Sequence, residues 1–243
     1  MAGFTLVELA IVITIIGLLI GGILKGSEMI DNAGIKATMQ QVQSYRAAYT
    51  NFKDVYGTMP GDMPNATSRL PDCNVGNFCY NGNGDGYLGA VTANFSHDDQ
   101  SNTVNYPQVE TSMFWKHLAD ANMITGISPS ADPTKPAWAS THPAAKYNGG
   151  FHVMAANETG DNQASGLYFV LRVAPSGDPN AGTNGLEVLN STQAQSIDSK
   201  FDDGNARTGS IRVDDGGNRC SAASIGTYYN KSDKACLMIF NFE

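Results

Sequence analysis

Between Phe4 and Leu24 the chain carries a single charge, Glu8, and no proline. About 20 apolar residues cross the hydrocarbon of a bilayer, and a lone segment there must satisfy its own backbone hydrogen bonds as a helix. A cleaved secretory signal would have a basic start, a shorter apolar core and a small-residue cleavage site, whereas here the apolar run passes straight into more helical sequence. The stretch therefore reads as a retained span. A lone acid inside a span costs ~2.5 to 3.5 kcal/mol on insertion scales, so Glu8 marks a partner or a function. The plainer alternative is an acid near the membrane boundary that snorkels into water.

Behind Lys25, the apolar positions Ile35, Met39, Val42, Tyr45, Tyr49, Phe52 and Tyr56 recur at steps of three and four, which is one stripe on a helix. The first proline is Pro60, and Gly57 stands where a helix C-cap falls, so the spacing predicts one continuous helix from about Phe4 to Tyr56. Its first part, 4–24, is apolar on every side; its second, 25–56, is amphipathic and needs a domain to cover one face. Glycines 17, 21, 22, 26 and 34 weaken helix propensity or allow close packing.

That domain must come from 57–243. Strand-like runs cover Phe151 to Ala155, Leu167 to Val173, Ile211 to Val213 and Leu237 to Phe242; two further helices are predicted over Thr111 to Ile124 and from Ser191 to near Phe201. The fold class is α+β: a long N-terminal helix packed on an antiparallel sheet, in one globular domain. The stretch from Pro60 to about Gln108 is rich in Gly, Pro, Asn and Asp and reads as irregular.

With 15 basic and 23 acidic residues the chain has a formal charge of −8, and it has no Lys/Arg run, which argues against a nucleic-acid partner. The four cysteines lack zinc-site spacing. Of three possible connectivities, proximity favours Cys73 with Cys79 and Cys220 with Cys236, which places the domain in an oxidising compartment outside the cytoplasm.

In "NGNGDGYLG" the oxygen-bearing Asn81, Asn83 and Asp85 alternate before Gly86, like the first half of an EF-hand calcium loop, with the Tyr87 carbonyl as a fourth ligand. The glutamate such a loop needs is replaced by Thr92, so a distant carboxylate such as Asp62 or Glu110 would have to complete a calcium site; the alternative is a plain Gly/Asn turn. Asp202, Asp203 and Asn205 in "FDDGNARTG" read as a helix-ending turn. His97, His117, His142 and His152 are scattered, without metal-site spacing. No nucleophile elbow, phosphate loop or dinucleotide fingerprint is present, and nothing in the sequence argues for an enzyme. Trp115, Trp138, Tyr228 and Tyr229 read as core or sheet packing ahead of a ligand-binding patch.

Gly3-Phe4-Thr5-Leu6-Val7-Glu8 followed by the long apolar helix resembles the type IV pilin and type II secretion pseudopilin superfamily. "YGTMPGDMPNA", "NGNGDG" and "IDSKFDDGNARTG" add a weaker likeness to larger pilin-like proteins. The resemblance implies cleavage between Gly3 and Phe4 by a prepilin peptidase, leaving 1–3 as the end of a leader, and methylation of the new Phe4 amine. It also implies residence in the inner membrane, handling by membrane assembly machinery, and assembly with copies of itself into a periplasmic or cell-surface filament. Glu8 would then meet a neighbour's Phe4 amine and set register. A secretion pseudopilus is the close alternative; a solitary anchored binding protein or adhesin, and an anchored hydrolase, are the others.

Overall fold

The computed structural model describes residues 5–88, 95–96, 110–128, 130–132, 135–156, 166–175, 187–214, 220–222, 226–231 and 233–243. Helix α1 runs Leu6–Tyr56, 51 residues, or roughly 75 Å at ~1.5 Å per residue. Its start is fixed locally by a capping box. The Thr5 hydroxyl accepts the Glu8 N–H, and Glu8 Oε2 accepts the Thr5 N–H and hydroxyl at 2.9 and 2.7 Å. Its end is equally local: Gly57 takes the left-handed conformation at φ 72° and donates its N–H to the Lys53 carbonyl. Gly3 and Phe4 lie outside the described residues.

All side chains from Thr5 to Leu24 are exposed, and this apolar part is long enough to cross a bilayer. Burial begins at Ile35 and continues through Thr38, Met39, Val42, Tyr45, Ala48, Tyr49 and Phe52. Those residues meet the rest of the chain in an aromatic core. Tyr45 sets its ring edge-on to Trp115, Phe151 and Phe169 with centroids 5.1, 5.5 and 6.0 Å away, and Tyr49 meets Phe242 at 4.9 Å.

After α1 come a one-turn helix α2 (Ala66–Arg69), a 3-10 turn at Val75–Asn77, strand β1 (Phe95–Ser96), α3 (Glu110–Asp120), β2 (Gly150–Ala156), β3 (Gly166–Arg172), β4 (Leu189–Asn190), α4 (Ser191–Phe201), β5 (Ile211–Asp214) and β6 (Lys234–Asn241). The sheet is antiparallel in the order β1-β2-β3-β6-β4, with β5 also on β6. Strand β6 is its centre: Phe240 lies opposite Phe169 on one side and Ile211 on the other. One face, with Phe151, Val153, Phe169, Met238 and Phe240, packs toward α1 and α3. The other, with Met154, Tyr168, Val170, Leu237 and Ile239, is buried as well. Burial on both faces explains why "LYFVL" and "CLMIF" read as continuous apolar runs rather than alternating ones.

The α+β architecture is the one the sequence predicts, with corrections at its edges. Helix α3 stops at Asp120, not Ile124, because Asn122 turns left-handed at φ 57°. Its N–H donates to the Ala119 carbonyl and the Met123 N–H to that of Leu118, the two bonds of a Schellman cap. The two-residue strands β1 and β4 leave no periodic pattern to read, and α2 interrupts a stretch expected to be irregular. Helix α4 opens where expected because Asn190 and Gln193 form a second capping box.

Candidate functional site

Among the described residues, two places stand out chemically. The first is Glu8. Its Oε2 is held by the backbone and hydroxyl of Thr5, so the acid closes its own helix end instead of standing bare in an apolar run. Thr5-x-x-Glu8 is a capping-box pattern legible in the sequence, and reading Glu8 only as an intermolecular or snorkelling group passes over it.

The second lies at the far end of α1, where the turn at Gly61, the loop 81–87 and the start of α3 converge. Asp62, Asp85 and Glu110 each bring a carboxylate oxygen within 4.8 Å of the others. Asp62 and Glu110 are buried, at 4% and 2% exposure, while Asp85 is exposed. Three backbone N–H groups of the loop, those of Gly84, Asp85 and Gly86, donate to Asp62 at 2.7, 3.0 and 3.0 Å. Burial, with help from the charge on Asp85, nevertheless pushes the Asp62 carboxyl above its usual range. Glu110 Oε1 accepts the Asn83 N–H at 3.1 Å.

Hydrogen bonds hold the side chains of the loop that the sequence singles out. Asn81 Oδ1 accepts the N–H and hydroxyl of Thr67 in α2, which turns it away from the carboxylates. Asn83 and Asp85 bond each other, and Tyr87 donates its N–H to Asp85 Oδ1 at 2.9 Å. Asp85 is the loop's carboxylate in the group, its companions are the two distant acids, and Asn83 is bonded to both Asp85 and Glu110. Thr92 and His97 lie outside the described residues.

Close backbone packing builds the group. A Cβ on Gly61, which sits at φ 91°, would lie 2.4 Å from the Glu110 carbonyl oxygen, and one on Gly82 would lie 2.3 Å from that of Gly61. His117 ties both segments to α3. Its Nδ1 accepts the Gly61 N–H at 2.9 Å, so the ring proton sits on Nε2, 2.8 Å from the Tyr80 carbonyl. Burial pushes the imidazole down to about 4, keeping it neutral in this role. The Cys73–Cys79 disulfide, with Cα atoms 5.0 Å apart, closes the chain just before Tyr80. Its sulfurs lie near His117, but as bonded sulfurs they are not thiolate ligands. Nothing in the spacing of the sequence pointed to His117 as this staple.

Three carboxylates, two of them buried, form an all-oxygen donor set of the kind hard divalent cations take, so the residues fit calcium. Asp198, Asp202 and Asp203 also converge within 4.8 Å, again with local donors on their oxygens. Asp198 accepts from the Tyr228 hydroxyl and the Gly204 N–H, Asp202 from the Ile211 N–H, and Asp203 from the Asn205 N–H and the Thr208 hydroxyl. These bonds close the turn that follows α4.

The other singled-out residues are structural. Cys220 and Cys236 form the second disulfide and pin β6. Trp115 is fully buried, Trp138 donates its indole N–H to the Val173 carbonyl, and Tyr229 packs under Lys231. His142 and His152 stack on each other inside the domain with centroids 5.1 Å apart. Comparison with family models, with curated proteins and with solved structures returns no match for this chain.

Proposed function

We propose that the chain is a structural subunit of a pilus-like filament, held in the inner membrane by residues 4–24 until it is drawn into a helical assembly of its own copies. The observation that carries this reading is α1 itself. One rigid helix has its lower half exposed and apolar on every side while its upper half is built into a domain. An apolar rod of this kind needs lipid before assembly and copies of itself afterwards. In the filament Glu8 aligns each subunit on its neighbour; Oε1 is the oxygen left over from the Thr5 cap. Prepilin peptidase would cut between Gly3 and Phe4.

Glu8→Ala tests this. It should abolish filaments in sheared surface or periplasmic fractions while the domain folds as in the parent, and the parent's N-terminal peptide should weigh as a methylated Phe4. Parent-like filament yield from the variant would overturn the reading, as would a parent protein that stays monomeric in its membrane.

The meeting of Asp62, Asp85 and Glu110 favours a second version of the same reading, a secretion pseudopilin with a calcium-stiffened loop. Calcium held by these three acids would neutralise their mutual repulsion and tie the 81–87 loop to α3. Added calcium should raise the Tm of the parent by several degrees and leave Asp85→Ala unmoved. Identical melting of the parent with calcium and with chelator rejects the ion.

A further inference from the structure

The lower half of α1 projects freely, so something must fix the direction in which it leaves the domain. Gly34, Thr38 and Gln41 lie on one face of α1 just above the point of exit, and the loop 144–147 grips all three. The Tyr147 N–H donates to the Thr38 hydroxyl at 3.1 Å. Gln41 is held at both ends, donating to the Ala144 carbonyl at 3.0 Å and accepting the Lys146 N–H at 2.8 Å. The Tyr147 ring lies over Gly34, where a Cβ would come within 2.8 Å of the ring carbon Cδ2. Gln193 of α4 donates to the Tyr147 hydroxyl at 2.6 Å, and Lys200 of α4 reaches Asn32 at 3.3 Å.

We infer that the loop 144–147 is a collar that locks the rod's direction of exit, with Tyr147 as its positioning residue and Gly34 as the seat for the Tyr147 ring. Glycine within a helix is usually read as a weak point, and Gly26, one stretch lower, has nothing within 4 Å of where a Cβ would sit. Gly34 differs because its missing side chain is the space the ring occupies. Alanine is the better helix former at both sites, yet at Gly34 it meets a ring clamped by α4, which cannot retreat without giving up its bond to Gln193. The role of the collar in assembly rests on the filament reading above, because a filament requires every domain to sit at the same angle to its own rod.

The test uses the full chain in detergent, where no filament is needed. Hydrogen exchange at the Lys146 and Tyr147 amides should speed up by at least about tenfold in Gly34→Ala and Tyr147→Ala. Gly26→Ala should leave it unchanged, and Tyr147→Phe, which keeps the ring but frees it from Gln193, should fall between the parent and Tyr147→Ala. Spin labels at Ser27→Cys on the rod and Gln195→Cys on α4 should give a narrow distance distribution in the parent background and a broad one with Gly34→Ala. Parent-like exchange and a narrow distribution in Gly34→Ala would overturn the collar, whatever the chain assembles into. If the collar loosens as expected and filament yield from Gly34→Ala still equals the parent's, its part in assembly is overturned while the filament reading stands.

Discussion

The lower half of α1 leaves Leu18 79% and Ile23 70% exposed, while its upper half has Val42 and Phe52 fully buried. Both halves are apolar enough to need cover, but they ask for it in different shapes. The upper half concentrates its apolar residues on one stripe, which a sheet and a second helix of the same chain cover; the lower half spreads them round the whole circumference and stays exposed among the described residues. One continuous helix therefore asks for two kinds of cover. A stability measurement on the domain should register only the upper half, and, on the filament reading proposed above, an assembly measurement should register the lower.

The sharpest way to break that division is truncation in each half. Phe52→Ala removes a ring in contact with Tyr56 and His117 and should cost about 3–5 kcal/mol of domain stability in urea unfolding. Leu18→Ala should fall within about 0.5 kcal/mol of the parent in the same assay. Comparable losses at the two positions would mean that the lower half folds against the domain.

His117 sharpens the comparison from the buried side, because its ring stacks on Phe52 at 6.5 Å and staples the turn beyond the end of α1. Its folded-state pKa, about 4, lies below the ordinary 6.5. The unfolded chain therefore takes up a proton first as the solution is acidified. The stability due to neutral His117 is complete above pH 6.5 and is lost as pH falls toward 4, by up to roughly 3 kcal/mol. Asp62, Asp120 and Asp198, whose carboxyls burial raises, titrate with the opposite sign and offset part of this slope. The difference between the parent and His117→Gln isolates the histidine. A parallel pH dependence for the two proteins would show that the staple does not control stability.

What could be read in the sequence follows the same line. The stripe from Ile35 to Tyr56, the cap at Gly57 and the opening of α4 at Ser191 are written in local periodicity and capping chemistry. Helix α3 ends four residues before its apolar pattern does, because Met123 and Ile124 continue that pattern past a stop made by the backbone of Asn122. The acidic group was half legible. The spacing of Asn81, Asn83 and Asp85 suggests ligands, and Asp62 and Glu110 are acids within reach of completing the set. Which of these meet is decided by close approach at Gly61 and Gly82 and by His117, contacts between segments more than 20 residues apart that carry no one-dimensional signal.

The smallest effect tests the lower half on its own terms. A Cβ at Gly17 or Gly21 would meet nothing within 4 Å in the single chain, so alanine at either site should strengthen the local helix by about 1 kcal/mol and slow amide exchange around it, with no change in domain unfolding. In the filament proposed above, the same two positions can face a neighbouring rod, where a methyl group holds backbones apart. Gly17→Ala and Gly21→Ala should therefore be silent or stabilising in detergent and reduce filament yield, an opposition that only a surface reserved for other copies would produce. If both variants assemble like the parent, close packing at these glycines is not what holds the rods together, and the bulkier exposed residues Leu18 and Ile23 become the contacts to test.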